Sequence, residues 1–420
     1  MAKRAKEGKG YRGVKVKLDP TPAQERAFTS HAGAARFAYN WALDRLKSQI
    51  EAKDRVDRSM EAMRKAFNEA KASVAPWYAS NSKEAYNTGF ERLATAYKNY
   101  EESRSGKRKG RKVGFPRFKC KGRDKMSFAY TTGSFGVADA HGVKCPRIGR
   151  VHALENVGKR VGGGHVTRMT ITKEADGWCA SLCVETDPVA AAPKAKVRCA
   201  GVDIGTRKAL VTSDGKVYPN PRNLDAALAK LRKLDKKMAR QRRLNEEFWK
   251  SKRYRKAKEA RARAYARVKR LREAFWTDVV AGLLKRYSHV YIEDVNVAGL
   301  LTGTDARGRV RRRNMSDMGF GMFRRMLEER AGRRGVTAHA IDRFYGSSKT
   351  CSACGAYKHD LGSAETYVCD SCGCIVDRDF NAAINILERG LAECPPDVKR
   401  RGGDVRHAVG NGVQAPHLAA

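Results

Sequence analysis

Four cysteines in the last quarter of the chain constrain its fold more than any other feature of the sequence. Cys351 and Cys354 form one Cys-x2-Cys pair, and Cys369 and Cys372 form a second pair after 14 intervening residues. Four thiolates in two such pairs can close a tetrahedral structural zinc site. A glycine follows each pair, where the chain needs a tight knuckle turn. We therefore predict a zinc ribbon at this position, with two fortuitous cysteine pairs as the alternative.

The charge balance points to a large polyanionic partner. The 420 residues include 86 Lys and Arg but only 45 Asp and Glu, which gives a formal net charge of +41. Self-repulsion of this size opposes compaction, whereas contact with nucleic acid relieves it and releases counterions. The alternatives are a ribosomal-type basic protein or a membrane-surface binder. Nucleic acid is the partner that we expect.

Length and hydropathy indicate a globular protein of several domains. With 41% hydrophobic residues, a chain of 420 residues can bury a large core and is expected to form two or three domains. The amino terminus lacks the apolar segment of a signal peptide, and no stretch approaches about 18 uninterrupted apolar residues. We expect a cytoplasmic protein without a membrane partner, either monomeric or dimeric.

The first half of the chain alternates between strand and helix patterns. Val14, Val16 and Leu18 alternate with lysines and predict a half-buried strand, and Thr21 with Gln24 forms a capping-box pattern for the helix that follows. Residues 34–100 have a helical pattern. Between residues 115 and 185, short apolar alternations separated by glycines predict a β-barrel or sandwich.

Residues 228–272 contain 20 Lys and Arg but only four acidic residues. Apolar residues recur at helical spacing through the same segment, at Leu231, Leu234 and Met238 and again at Ala264 and Val268. We predict a pair of basic amphipathic helices. A merely solvated face is the alternative, but so few acids do not allow the paired charges that stabilise such faces. Contact with nucleic acid is therefore favoured.

Acidic residues stand inside one predicted strand, at the end of a second strand and at the start of a predicted helix. Asp203 interrupts an apolar strand, although an acid there often serves a turn or a salt bridge. Glu293 and Asp294 end a second strand, and alternation sends them to opposite faces. Asp379 follows Asp377 at the start of a helix, where simple N-capping is the competing interpretation.

Acids on two strands and a helix start are what a two-metal phosphodiesterase requires. Carboxylate oxygens hold a pair of hard Mg²⁺ ions, of which one activates water and the other stabilises the leaving oxygen. The spacing alone does not prove that Asp203, Glu293 and Asp379 converge. That these three acids converge is therefore a hypothesis.

The order of these motifs resembles the TnpB proteins of insertion-sequence transposons and the related compact type V CRISPR effectors. The resemblance covers most of the chain, and its motifs, in order, read PTPAQ, RFAYNWAL, GFPRFK, GVDIG, YIEDVN, GSSKTCSACG, CDSCG and DRDFNAAINI. It implies a multidomain α+β protein in which Asp203, Glu293 and Asp379 hold two Mg²⁺ ions. It favours Asp379 over Asp377 and Glu293 over Asp294.

The resemblance also implies a division of the chain. In the first half, residues 1–30 begin a β-barrel wedge module, 31–110 form an inserted helical recognition domain, and 111–198 complete the barrel. In the second half, residues 199–345 form a RuvC-like RNase H-type nuclease domain with a basic helical insertion at 222–277. The zinc ribbon follows at 346–375, the final helix of the nuclease at 376–390, and a disordered tail at 391–420.

The function implied is an RNA-guided DNA endonuclease that cleaves target DNA beside a short adjacent motif. Its partners would be a guide RNA from the transposon end and a double-stranded DNA target, with sequence choice resting on RNA–DNA pairing. Two alternatives use the same architecture. One is an RNA-guided repressor without nuclease activity, which would lack at least one acid, and the other is a protein-guided resolvase or transposase.

Overall fold

The computed structural model describes residues 10–186, 197–221, 223–294, 318–362, 364–396 and 405–407. The chain divides into two compact units, Met1–Pro188 and Val189–Ala420. Both contain helices and strands, so the expected multidomain α+β class is confirmed. Among the residues described, no helix is both long enough and apolar enough to cross a bilayer. The stretch 187–196, DPVAAAPKAK, has a Pro/Ala-rich composition that predicts a linker, and it lies outside the described residues.

An antiparallel sheet of seven strands forms the framework of the first unit. Its strands are β1 (Gly10–Asp19), β2 (Ser127–Tyr130), β3 (Gly136–Asp139), β4 (Gly142–Cys145), β5 (Gly149–Ala153), β6 (Val166–Glu174) and β7 (Gly177–Thr186), in the order β2-β6-β7-β1-β5-β4-β3. The hydrogen-bonded path is open between β2 and β3. The sheet is nevertheless curled, and its two ends come close together. A Cβ built on Gly136 of β3 would contact Val166 of β6 at 3.7 Å.

Three long helices share one hydrophobic core with this sheet. They are α1 (Pro22–Glu51), α2 (Met60–Val74) and α3 (Lys83–Arg104), and a short helix α4 (Val157–Val161) follows β5. The predicted capping box is present: Thr21 accepts from the Gln24 N–H, and the Gln24 side chain accepts from the Thr21 N–H. The helix α1 begins at Pro22, where the capping-box pattern predicts it.

The second unit is built on a mixed sheet. Its strands are β8 (Val197–Asp203), β9 (Lys208–Thr212), β10 (Val217–Pro219), β11 (His289–Glu293) and β12 (Thr337–Ile341), in the order β10-β9-β8-β11-β12. The strands β10 and β8 each run antiparallel to β9, whereas β8, β11 and β12 run parallel to one another. Parallel neighbours end at the same edge of the sheet, so the residues that close β8 and β11 lie together.

The two predicted basic helices are present in the second unit. They are α5 (Asn223–Leu244) and α6 (Lys252–Arg286), and the expected apolar stripe is buried at Leu231 and Met238 and at Ala264 and Val268. An ion pair joins Arg261 of α6 to Asp235 of α5. Because α6 continues to Arg286, its second half extends beyond the insertion expected to end at residue 277 and enters the core.

Helices cover both faces of the mixed sheet. On one face, α6 and α7 (Phe320–Arg333) pack against alternate strand residues that include Val202 and Ile292. On the other face, α8 (Arg378–Glu393) packs against Cys199 and Tyr291. This alternation assigns each residue of β8 and β11 to one of two helical layers.

The zinc-ribbon region carries a small hairpin, β13 (Thr366–Val368) with β14 (Ile375–Asp377). The chain passes from β14 directly into α8, which ends at Glu393 and not at the expected residue 390. A three-residue strand, β15 (Val405–His407), pairs in parallel with Val197–Cys199 of β8 inside the stretch expected to be a disordered tail. Residues 397–404 and 408–420 of that stretch lie outside the described residues.

Gly201 allows α8 to lie directly on β8. A Cβ at this position would come within 2.1 Å of the Ala383 carbonyl oxygen and 2.4 Å of the Leu387 nitrogen, both backbone atoms of α8. Replacing Gly201 with alanine is therefore expected to lower the free energy of unfolding by about 1–3 kcal/mol, the usual cost of overpacking. Chemical denaturation followed by circular dichroism measures this.

The matched control is Gly332→Ala in α7, where an added Cβ meets no atom within 4 Å. Alanine forms helices better than glycine, so this variant should be as stable as the native protein or more so. Equal stability of Gly201→Ala and the native protein would contradict the close packing of α8 on β8.

Candidate functional site

Asp203 and Glu293 close two neighbouring parallel strands. The register pairs Tyr291 with Gly201 and Ile292 with Val202, so the residues that follow stand side by side at the carboxyl ends of β11 and β8. Adjacent strands are separated by about 4.8 Å. Alternation gives both acids the face that Gly201 and Tyr291 share, which is the face covered by α8.

The direction of α8 brings Asp379 to the same edge of the sheet. The middle of the helix lies over Gly201, and its carboxyl-terminal half lies over Tyr291, whose hydroxyl donates to the Cys394 carbonyl at 2.7 Å. The first turn of α8 therefore lies toward the carboxyl ends of the strands. Asp379 stands in that first turn, and its negative charge acts on the carboxyl group of Asp203.

Asp377, and not Asp379, caps the helix. The Asp377 carboxylate accepts from the Phe380 N–H at 3.1 Å and forms an ion pair with Lys208. The competing interpretation of the sequence, that Asp379 serves as the N-cap, is therefore wrong. The carboxyl group of Asp379 remains available for another role.

Of the adjacent acids Glu293 and Asp294, Asp294 is the one that is paired with cations. Asp294 pairs with Arg343 and with Arg324 of α7, and these two guanidinium groups hold its pKa below the usual range. Burial, followed by the charge of Asp294, raises the pKa of Glu293. Asp294 thus lies on the side of the sheet that carries Arg324, as strand alternation predicts, and among the described residues no cation forms an ion pair with Glu293.

Negative charge accumulates at this edge of the sheet. Burial of its carboxyl group, followed by the charges of Asp379 and Glu293, raises the pKa of Asp203 to about 8, although part of the residue still reaches solvent. Burial and the neighbouring Asp377 also raise the pKa of Asp379, against the opposing charges of Lys208 and Arg378. A bound divalent cation would relieve this repulsion.

The three acids do not form one compact ligand group, whereas the four ribbon cysteines do. Across the described residues, the four ribbon cysteines are the only group of three or more His, Cys, Asp or Glu side chains whose ligand atoms all lie within 4.8 Å of one another. The three acids are spread more widely. Carboxylate oxygen is the ligand that Mg²⁺ prefers.

The four cysteines converge as the spacing predicts. The sulfur atoms of Cys351 and Cys372 are 3.7 Å apart, and those of Cys354 and Cys369 are 3.6 Å apart. A tetrahedron with zinc–sulfur bonds of about 2.3 Å has edges of about 3.8 Å. The backbone N–H groups of Cys372 and Ser371 lower the pKa of the Cys369 thiol, whereas contacts with the neighbouring thiols raise the pKa of Cys372 despite the Cys374 N–H. Without metal, the thiolate is therefore favoured at only one of these two positions.

Glycines shape both knuckles of the ribbon. Gly355 and Gly373 adopt positive φ angles of 75° and 70°, which a residue with a side chain rarely does. Each glycine donates its N–H to the carbonyl of the first cysteine of its pair, Gly355 to Cys351 at 2.9 Å and Gly373 to Cys369 at 3.1 Å. These turns aim both thiols of each pair at one point.

Two buried asparagines join the first knuckle to α8. Asn381 accepts from the Ser352 N–H at 2.9 Å and donates to the Thr350 carbonyl at 2.7 Å. Asn385, one turn later, donates to the carbonyls of Ser347 at 2.7 Å and Thr350 at 2.6 Å. Sequence reasoning missed this connection, although two amides four residues apart in an apolar helix are a visible signal.

Comparisons with known proteins agree with the motifs. Three family models match: one described as "Helix-turn-helix domain" at residues 11–55, "Probable transposase" (OrfB_IS605) at 181–303, and "Cas12f1-like, TNB domain" at 320–386. The first of these spans β1 and the single long helix α1. The third contains all four ribbon cysteines.

Individual relatives cover nearly the whole chain. A Mycobacterium tuberculosis protein, provisionally named an RNA-guided DNA endonuclease, is 32% identical over 435 residues, which is 97% of this chain and 91% of that protein. A mimivirus protein named TnpB-like is 31% identical over 143 residues, covering 34% of this chain and 27% of its own length. A solved Cas12f1–sgRNA–target DNA complex aligns with a TM-score of 0.46 and 12% identity, over 90% of this chain and 99% of that one.

The acidic edge should make stability depend on pH in the absence of Mg²⁺. In the folded protein Asp203 holds its proton up to about pH 8, whereas in the unfolded chain it loses it near 3.8. The folded state therefore binds more protons in this window, and stability falls as pH rises through it. Asp203→Asn should unfold at a higher temperature than the native protein near pH 8 and lose this pH dependence, as thermal unfolding will show.

Asp294→Asn is the control for that experiment. Because the ion pairs of Asp294 lower its pKa, loss of its charge should lower the unfolding temperature at neutral pH. Addition of Mg²⁺ should stabilise the native protein near pH 8 but not Asp203→Asn. Parallel pH profiles for Asp203→Asn and the native protein would contradict the accumulation of charge.

Loss of zinc should also affect Mg²⁺ binding at the acidic edge, because Asn381 and Asn385 join the ribbon to α8. Cys354→Ser should reduce bound zinc from about one ion per chain to a small fraction and weaken the stabilisation by Mg²⁺, since α8 loses its anchored knuckle. Metal analysis and thermal unfolding measure the two effects. Cys120→Ser, at an exposed cysteine of the first unit, should change neither. Full zinc content in Cys354→Ser would contradict the assignment.

Proposed function

This chain belongs to the TnpB family, and on that premise we propose that it is an RNA-guided DNA endonuclease, which cleaves target DNA beside a short adjacent motif. The relative that is 32% identical along 97% of the chain is provisionally named for this activity. We further propose that Asp203, Glu293 and Asp379 are the catalytic residues of a RuvC-like unit.

One observation carries the catalytic part of the proposal. Asp203, Glu293 and Asp379 come from three separate segments of the chain, and their charges act at one sheet edge. Among the described residues, the opposing charges of Lys208 and Arg378 do not offset the rise in the pKa values of Asp203 and Asp379. The neighbouring acids Asp294 and Asp377 are paired with cations. A protein keeps such repulsion where a ligand removes it, and active sites are where carboxyl groups with raised pKa values accumulate.

The chain's own residues would bind and orient the reacting groups. Asp203 on β8 and Glu293 on β11 present carboxylates from rigid strands, and Asp379 presents a third from the first turn of α8. Asp203 would release its proton when metal binds. Two Mg²⁺ ions held by these residues would supply an activated water and stabilise the leaving oxygen of the cleaved phosphodiester.

The zinc ribbon supports this edge in the proposal. It is inserted between Glu293 and Asp379, and Asn381 and Asn385 fix its first knuckle to the helix that carries Asp379. Structural zinc would thereby hold the third acid in place. Metal chemistry at the cysteines themselves is not required, because four thiolates leave no open position for a substrate.

The basic helices α5 and α6 would bind the nucleic-acid partners. The helices α5 and α6 span a segment with 20 Lys and Arg and four acids, so most of the cations cannot find an acidic partner within it. We propose that this surface contacts the phosphates of the guide RNA or of the DNA target, with counterion release providing much of the affinity. Sequence choice would rest on pairing between the two nucleic acids.

The direct test is cleavage of a plasmid library by the protein with a programmed guide RNA and Mg²⁺. The native protein should cut plasmids that carry the target beside one adjacent motif. Asp203→Ala, Glu293→Gln and Asp379→Asn should each reduce the rate by at least about a hundredfold, the size of effect expected when transition-state charge stabilisation is lost. Asp294→Asn should retain most of the activity, because that side chain faces α7.

The same assay separates the alternative functions. A repressor would bind the matched plasmid without cutting it in any variant, and a protein-guided resolvase or transposase would act without RNA. Cleavage that survives replacement of all three acids would contradict the proposed catalytic residues. Cleavage by the native protein that is indifferent to the guide sequence would contradict RNA guidance.

A further inference from the structure

A small cavity in the first unit collects basic side chains that nothing so far explains. It lies between α1, α3 and the segment that leads into β2, and is lined by Arg36, Arg92, Lys119, Asp124, Lys125 and Ser127. Ala32 and Ala35 of α1 form its apolar wall. Four cations thus surround one narrow space with a single acid among them.

That acid does not neutralise the cavity. The Asp124 carboxylate accepts from the Cys120 N–H at 2.7 Å and is paired with Arg123 at 3.2 Å. Lys125 pairs with Glu174 at 3.5 Å. Within the described part of the chain, Arg36, Arg92 and Lys119 form no ion pair, although the charge of Asp124 acts on Lys119 and that of Glu91 acts on Arg92. We call these three residues the basic cavity cluster.

The cluster is held in place by contacts to groups that carry no charge. Arg92 donates to the backbone carbonyl of Ser127 at 2.8 Å and to its hydroxyl at 2.5 Å. The Lys119 ammonium stands 3.9 Å from the centre of the Tyr39 ring. Asn40 fixes the Lys119 backbone from both sides, accepting its N–H at 2.8 Å and donating to its carbonyl at 2.9 Å.

The arrangement is costly without an anion. Burial, followed by the charge of Arg92, lowers the pKa of Lys119 to about 8. Burial, followed by the charge of Arg168, also lowers the pKa of Arg92. Partly buried cations that repel one another destabilise a fold unless a ligand compensates them. Guanidinium and ammonium groups that converge in this way suit a phosphate oxygen.

The rim of the cavity favours a nucleic acid over a small free anion. The segment that supplies Lys119 also carries Phe115 and Phe118, each 37% exposed, with Arg117 between them. The Lys47 ammonium lies 4.7 Å from the centre of the Phe118 ring. Aromatic faces alternating with cations let a strand stack its bases while its phosphates are neutralised.

We propose that the basic cavity cluster binds a phosphodiester group of a nucleic-acid strand. The strand would run along the segment from Phe115 to Lys119, with one phosphate at the mouth of the cavity, which is too small to admit it fully, and a neighbouring base beside Phe118. This inference rests on the proposed function only in requiring a nucleic-acid partner, and it concerns a unit that contains none of the proposed catalytic residues.

The test is the salt dependence of binding by the full-length protein, freed of nucleic acid. Fluorescence anisotropy is followed with labelled oligouridine, oligothymidine and a DNA duplex, without divalent cations so that no strand is cut. Lys119→Gln and Arg36→Gln should each lower the slope of log K against log salt by about one, because one fewer phosphate is neutralised. Near 0.15 M salt, affinity should fall about fivefold for each.

Lys65→Gln is the matched control, since it removes the same charge from the exposed face of α2 and should change the slope by much less. Thermal unfolding verifies that each variant is folded, and Arg92 is left intact because it supports β2. A change confined to oligouridine assigns the site to RNA, and a change confined to DNA assigns it to the target. Native slopes for both variants with all three probes would overturn the proposal, whatever the outcome of the cleavage assay.

Discussion

Repulsion among three carboxyl groups at one edge of a sheet is the constraint on which the second unit depends. Asp203 and Glu293 are fixed by the parallel register of β8 and β11, and Asp379 is brought to them because Gly201 lets α8 lie against the strand backbone. Packing energy spread over the whole layer holds together charges that would separate in an unfolded chain. The strain is confined to a site where a cation can relieve it.

The ribbon of four cysteines is joined to the third acid, Asp379, through α8. Its hairpin leads directly into α8, and the amides of Asn381 and Asn385 replace backbone hydrogen bonds that the first knuckle would otherwise lack. Both amides are buried, so their loss would leave unsatisfied polar groups in the core. Metal at the cysteines and charge at the acids are therefore linked through one helix.

Much of this was predictable from the sequence, because the relevant signals are local. The cysteine spacing, the capping box at Thr21 and the apolar stripes of α5 and α6 each specify a structure within a few residues. The convergence of Asp203, Glu293 and Asp379 was not derivable from spacing, since it depends on strand register and on the direction of α8. The resemblance to TnpB proteins selected these acids, whereas only the contacts show that Asp377 caps the helix and that Arg324 and Arg343 bind Asp294. Partners such as Asn381 and the residues of the basic cavity cluster lie far apart in sequence and needed the fold to be seen.

The central claim, that the three acids share a pair of divalent ions, is tested most directly by electron paramagnetic resonance of the zinc-loaded protein titrated with Mn²⁺. Carboxylate sites for Mg²⁺ also accept Mn²⁺. We expect two ions per chain whose spins couple as they do at a separation of about 4 Å, with the coupled signal lost in Asp203→Asn, in Glu293→Gln and in Asp379→Asn. An uncoupled signal in the native protein, or a coupled signal that survives these substitutions, would contradict the account.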